Sequence, residues 1–243
     1  MPCASYSDPR LAAVYDPLIP PSTDMEFYLE LAGESPKTVL DMGCGTGRLA
    51  CRLAARGHDV TGAEPAAAML DIARNRSGGD RVTWIETDAA NLSVDTRFDM
   101  VIMNGHVFQV FVEDRDVRAA LRTLRHHLAP GGRLAFETRN PVIRDWDTWT
   151  PEQTRETINV PNIGPVDVHC DIASEIGQLV TFETHFSFAA NDIVVAPHTL
   201  RFMSKDEVAG FLGDAGFTDI VWYGNWDRSA ITPTSPEIIV IAS

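Results

Sequence analysis

Gly43, Gly45 and Gly47 stand at alternate positions, with Asp41 two residues ahead of the first. Glycine has no Cβ, so a backbone built this way turns sharply and lets a ligand approach its amides, while Asp41 places a carboxylate at the mouth. Val39 and Leu40 read as the end of a buried strand, and Leu49, Leu53 and Ala54 as the inner face of a helix that follows. Strand, glycine turn and helix in that order mark the place where α/β proteins bind nucleotides. Two cofactors fit the short motif. Gly45, Gly47 and Ala50 also satisfy the dinucleotide fingerprint G-x-G-x-x-A, with Glu64 near the position of a ribose acid. An oxidoreductase built on NAD would need a donor set such as Tyr-x-x-x-Lys, and no tyrosine here is followed by lysine at that spacing.

The elements that must position these residues follow in order along the chain. Residues 59–63 form a short strand ending at Glu64, after which Pro65 opens a helix over 66–74. A carboxylate at a strand's carboxyl end faces the crevice, and Glu64 there accepts the two hydroxyls of an unphosphorylated ribose at about 1.5–3 kcal/mol per charge-assisted bond. A third strand over 82–86 leads to Asp88 and Ala89. Their carboxylate and amide match the donor and acceptor edge of adenine. A fourth strand over 98–103 ends at Asn104, Gly105 and His106, and a helix over 117–128 leads through Ala129-Pro-Gly-Gly to a fifth strand.

This series of glycine loop, two acidic strand ends, an amide strand end and a Pro-Gly-Gly turn resembles the class I S-adenosylmethionine-dependent methyltransferases over about residues 36–140. The phrases Val-Leu-Asp-Met-Gly-Cys-Gly-Thr-Gly-Arg-Leu-Ala, Asn-Gly-His-Val-Phe-Gln-Val-Phe and Phe-Glu-Thr-Arg-Asn-Pro look like a bacterial small-molecule-type subgroup. The resemblance implies that Gly43, Cys44, Gly45 and Gly47 line the methionine part of S-adenosylmethionine and that Asp41 helps hold its ammonium group. It further implies Glu64 at the ribose, Pro65 in the cofactor site, Met69 or Ala66 near the adenine, Asp88 and Ala89 on the adenine edge, and Asn104 in contact with the cofactor. Glu64 replaces the aspartate of many members, a conservative departure. A non-catalytic cofactor-binding protein of the same fold is the remaining alternative.

The expected fold is α/β: a Rossmann-like seven-stranded sheet with helices on both faces and an antiparallel last strand. Residues 1–36 read as a helical lid segment, with Tyr15 and Tyr28 as lid candidates, and 37–140 as the cofactor core. Between 141 and 203 the helix–strand alternation gives way to β-branched alternation, at 157–160, 166–172, 179–188 and 193–202, separated by turn signals. That pattern predicts a small antiparallel sheet inserted after the fifth strand, placed to cover the acceptor. In 204–243, Ser204-Lys-Asp-Glu is a capping box before a helix over 208–215, and the last two core strands follow at 217–223 and 238–242.

The sulfonium methyl is already activated, so the protein has chiefly to align an acceptor lone pair and exclude water. A hydroxyl or protonated amine must still lose a proton, and His106 is the expected general base. Arg139 is positioned by topology to clamp an acceptor carboxylate, or else to pair with Asp145 or Asp147. Trp146, Trp149, Trp226 and Tyr223 are expected in loops rather than strand interiors, where their rings can cover a flat or cationic acceptor.

The 243 residues carry 34 acidic against 20 basic side chains, a formal charge of -14, which argues against nucleic acid as a substrate. Cys3, Cys44, Cys51 and Cys170 have no paired spacing and are expected as reduced thiols, with no metal site. No leader-like or membrane-spanning run is present, so a cytoplasmic protein with a small-molecule acceptor is expected, its oligomeric state unassigned.

Overall fold

A computed structural model describes residues 4–20 and 23–243. Cys3 lies outside the described residues.

Two helices, α1 (Ala4–Ser7) and α2 (Pro9–Leu18), precede α3 (Thr23–Ala32). The core then alternates β1 (Thr38–Met42), α4 (Arg48–Ala55), β2 (Asp59–Ala63), α5 (Ala67–Asn75), β3 (Val82–Ile85), β4 (Phe98–Met103), α6 (Asp114–His127) and β5 (Leu128–Arg139). After a short helix, α7 (Pro151–Thr154), four strands follow: β6 (Glu156–Val160), β7 (Gly164–Ile176), β8 (Leu179–Ala189) and β9 (Asp192–Arg201). The chain closes with α8 (Lys205–Asp214), β10 (Ile220–Tyr223) and β11 (Glu237–Ala242).

The seven-stranded sheet has the order β10-β11-β5-β4-β1-β2-β3, and β11 runs antiparallel to both neighbours. Period-two alternation decides which helices cover which face. Leu40, Val101 and Met103 pack with Val117, Leu121, Val208 and Leu212 of α6 and α8. Val39, Met100 and Ile102 point the other way, onto Leu29, Leu49 and Leu53 of α3 and α4. The second sheet, β6-β7-β8-β9, is wholly antiparallel. It lays Val166, Val168, Phe186 and Ala196 on Leu11 and Val14 of α2. The expected fold class is therefore borne out, insertion included.

Two local expectations are corrected. Ala129-Pro-Gly-Gly does not precede the fifth strand but lies inside β5, where Phe98 pairs with Leu128 and Met100 next pairs with Arg133. The excursion lets Gly132 pass where a Cβ would come within 2.7 Å of the Phe98 carbonyl. Of the four aromatics expected in loops, Tyr223 instead ends β10, and the four divide into two groups. Trp146 and Trp149 pack with Phe202 beside the inserted sheet, while Tyr223 and Trp226 pack on Phe27 of α3. Phe27 is buried in the cluster that covers the α3–α4 face of the sheet, and Tyr223 and Trp226 pack against it there.

Candidate active site

Glycine places the loop after β1 where no other residue would fit. Gly43, Gly45 and Gly47 all have positive φ, and a Cβ on Gly47 would stand 2.6 Å from the Trp84 ring and 2.9 Å from the Ala73 methyl. Gly43 has the same constraint from Val107, at 2.6 Å. The loop is tied to the tip of β2 by hydrogen bonds from the Gly43 and Cys44 amides to the Ala63 carbonyl, at 2.7 and 3.1 Å. Glu64 extends that tie. Its carboxylate accepts from the Gly45 amide at 3.2 Å and the Ala66 amide at 3.0 Å, leaving lone pairs on both oxygens.

Asp41 is buried at 2 % exposure beneath this loop. Burial pushes its carboxyl up to about 7, against a hydrogen bond from the Ala50 amide, with Glu64 and Glu137 adding to the rise. Its Oδ2 is buried with no hydrogen-bond partner, and so is Oδ1 of Asn104. Both residues line one cavity with Gly43, Cys44, Gly45 and Gly105. Two orphaned acceptors in one cavity call for a ligand with several donors, as an ammonium group provides. Pro65 joins β2 to α5, and Met69, buried on α5, would meet a Cβ of Gly45 at 3.8 Å.

The cavity measures about 80 Å³, well below the ~300 Å³ at the small end of ligand pockets. The N-terminal helices account for the closure, with Ile19 and Pro20 after α2 and Asp24 and Met25 of α3 among the lining residues. Tyr15 lines the cavity, and Tyr15 and Ala12 pack on Ala66 and Met69. Burial pushes the Tyr15 hydroxyl up to about 12. Asp16 fastens the helix to the loop: it accepts from Thr46 Oγ1 at 2.6 Å and pairs with Arg48 Nε at 3.0 Å and with Arg76. Tyr28 is different. It is fully buried in the core and donates to Glu137.

Asp88 follows β3 by three residues, and its Oδ1 accepts from the amides of Ala90 and Asn91 at 3.0 and 2.9 Å. Oδ2 accepts from the Asn91 side chain at 2.9 Å. The carboxylate thus caps its own turn, beside the buried Ala89. A wider surface groove of about 650 Å³ between α2 and α5, lined by Pro9, Ala13, Ala68 and Ile72, contains none of the expected cofactor residues.

At the tip of β4, His106 has φ +60°, a left-handed conformation that costs about 1–2 kcal/mol outside glycine. Glu137 holds it there by accepting from the His106 amide at 2.7 Å. The imidazole Nε2 lies 3.1 Å from each carboxylate oxygen of Glu237. No sequence motif assigns a role to Glu137 or Glu237; their one local signal is an acid beside a run of apolar strand residues. Arg139 pairs with Asp145 at 3.2 Å, bonds Gln109 Oε1 at 2.9 Å and lies 5.4 Å above the Trp149 ring. Of the two expected roles, the geometry displays the pairing with Asp145.

Residues 39–132 match the methyltransferase domain family. A putative methyltransferase of Geobacillus sp. (strain WCH70) is 31% identical over 214 residues, covering 86% of this chain and 85% of that protein. The chain belongs to the S-adenosylmethionine-dependent methyltransferases. The cypemycin N-terminal methyltransferase of Streptomyces sp. is 33% identical over 106 residues, which span 44% of this chain and 43% of that protein. In fold, the CcbJ methyltransferase from Streptomyces caelestis superposes with a TM-score of 0.78 at 21% identity, covering 98% of this chain and 97% of that one.

S-adenosylmethionine is the cofactor of this methyltransferase family. The residues present fit it: the orphaned oxygens of Asp41 and Asn104 suit its ammonium group, and the spare lone pairs of Glu64 suit ribose hydroxyls. Among the described residues no group of three or more histidine, cysteine or acidic side chains could hold a metal, and Cys44, Cys51 and Cys170 are free thiols. No described helix is long and apolar enough to cross a membrane.

Proposed function

We propose that this methyltransferase transfers its methyl group to the nitrogen of a small amine. Bound S-adenosylmethionine supplies a methyl carbon activated by the sulfonium. Asp41 and Asn104 hold the ammonium end, Glu64 the ribose, and Asp88 with Ala89 the adenine edge. His106 takes the proton that a protonated amine must lose before its lone pair can attack. Helix α2 serves as lid, and the inserted sheet walls the acceptor through Phe182 and His198, with Trp149 ahead of it; the Trp149 and Phe182 ring centres lie 4.8 Å apart and those of Phe182 and His198 5.0 Å. Arg139 positions this wall through Trp149 and Asp145.

The observation that carries the reading is the imidazole of His106, one residue beyond the cavity-lining Gly105 and backed by the Glu237 carboxylate. Glu237 and Asp145 outnumber the fixed cation Arg139 on this side, while Glu137, whose carboxyl burial pushes up, is engaged by Tyr28 and the His106 amide. Such a surplus favours a cationic acceptor over an anionic one. The relative that acts on an N-terminus, by its name, points to the same acceptor atom.

The test is methyl transfer from labelled S-adenosylmethionine to paired probes: glycine and glycolate, ethanolamine and ethylene glycol, benzylamine and benzyl alcohol. Label on the amines and its loss in His106→Ala are expected. Label confined to the hydroxyl partners would overturn the nitrogen assignment, and unchanged turnover in His106→Ala would remove the base.

A further inference from the structure

Glu237 opens β11, the antiparallel strand inserted between β10 and β5, at the level of Arg139. A glutamate at the head of Glu-Ile-Ile-Val-Ile-Ala is buried at 9 % exposure, where an unpartnered charge would be costly. Its carboxylate meets His106 Nε2 at 3.1 Å through both oxygens. An ionised carboxylate accepts and cannot donate, so a hydrogen bond between these atoms requires the imidazole proton to sit on Nε2.

We infer that Glu237 is a positioning residue that fixes the tautomer and orientation of His106, keeping Nε2 protonated and Nδ1 as the lone-pair nitrogen that receives the acceptor's proton. This rests on the amine-methylating function proposed above. The two ring nitrogens of histidine are not equivalent, and the partner of one decides the role of the other. The surroundings agree with a fixed ring. The His106 amide is clamped by Glu137, whose second oxygen is engaged by the Tyr28 hydroxyl, so backbone and side chain are held from β5 and β11 at once. The proton balance is simple. Nδ1 gains the proton from the ammonium, the freed nitrogen lone pair bonds to the methyl carbon, and the bonding pair of the carbon–sulfur bond goes to sulfur. The imidazolium so formed lies against Glu237, whose negative charge offsets it.

The test uses the full chain with ¹⁵N-labelled histidine, saturated with S-adenosylhomocysteine, in buffer of about pH 8.5, where an ordinary imidazole is neutral. Long-range ¹H–¹⁵N spectra report which nitrogen carries the proton, with His106→Gln identifying the resonances. The expected result is a single Nε2–H tautomer for His106 in the natural sequence and loss of that preference in Glu237→Gln, whose amide both donates and accepts. Affinity for S-adenosylhomocysteine is expected to stay within twofold, which also establishes that the variant is folded. With the amine probes above, Glu237→Gln is expected to lower kcat at least tenfold with KM within twofold, and Glu237→Asp to restore part of it. A natural-sequence spectrum with the proton on Nδ1 overturns the inference without any variant. So does a His106 spectrum indifferent to Glu237→Gln. Failure of the functional reading looks different: the tautomer result stands while His106→Gln turns over amines at full rate.

Discussion

The loop after β1 and the inserted sheet both pack against α2 but are built on opposite terms. Around the loop, buried polar groups are left wanting: Asp41 Oδ2 and Asn104 Oδ1 have no partner, and Gly43 and Gly47 hold positive φ against packed neighbours. In the inserted sheet the side-chain bonds are already made, within it from Thr181 to Thr199 and from Thr157 to Asp167, and outward from Arg201 to Asp114 and from Gln178 to Glu207. A surface that keeps unsatisfied buried acceptors holds them for a ligand of fixed chemistry. A sheet whose ladder and side-chain bonds are already made can exchange residues on its face without losing the fold, as the proposed acceptor wall requires.

Glycine substitutions should break this contrast most sharply. Gly47→Ala meets Trp84 and Ala73 and is expected to lose about 2–4 kcal/mol in urea unfolding. Gly177→Ala, in the β7–β8 turn at φ +62° with open space around it, should lose only about 1–2 kcal/mol. Equal losses would mean that the loop is no more constrained than the hairpin.

Asp41→Asn is expected to weaken S-adenosylhomocysteine binding by about 1.5–3 kcal/mol by calorimetry, because a charge-assisted bond to the ammonium is lost. The same group sets a pH dependence. Its carboxyl titrates at about 7 in the folded chain against an ordinary 3.8, so the folded state binds the extra proton between those values. Its contribution to the stability of the ligand-free protein therefore falls as pH rises from about 4 to 7, and Asp41→Asn should flatten that fall in melting temperature. Affinity for the ammonium ligand should move the other way, rising with pH until Asp41 is ionised.

The smallest effect on cofactor affinity is expected from the sheet. Phe182→Leu, in the row formed with Trp149 and His198, should leave S-adenosylhomocysteine affinity within twofold while changing the relative rates among glycine, ethanolamine and benzylamine. A large loss of cofactor affinity would place that row in the cofactor site instead.

The same contrast governs what the sequence discloses. The strands at 59–63 and 98–103 and the capping box at Ser204 could be read directly, because each depends on neighbours within a few residues. The loop glycines were legible because their backbone geometry is a local demand. The fastening of Asp16 to Thr46, Arg48 and Arg76, and that of Glu237 to His106, join residues 30 to 131 positions apart, and no local pattern marks such pairs. The Pro-Gly-Gly stretch was read as a turn because its composition says so. Pairing of β5 with β4 on either side absorbed it into the strand.

The most direct measurement is a crystal structure of the full chain with S-adenosylhomocysteine. The account predicts the amino group of the ligand within hydrogen-bond distance of Asp41 Oδ2 and Asn104 Oδ1, its ribose on Glu64, and its adenine against Met69 beside Asp88 and Ala89, with α2 displaced from the closed position. A ligand seated elsewhere, with Asp41 Oδ2 still unpartnered beneath the loop, would contradict it.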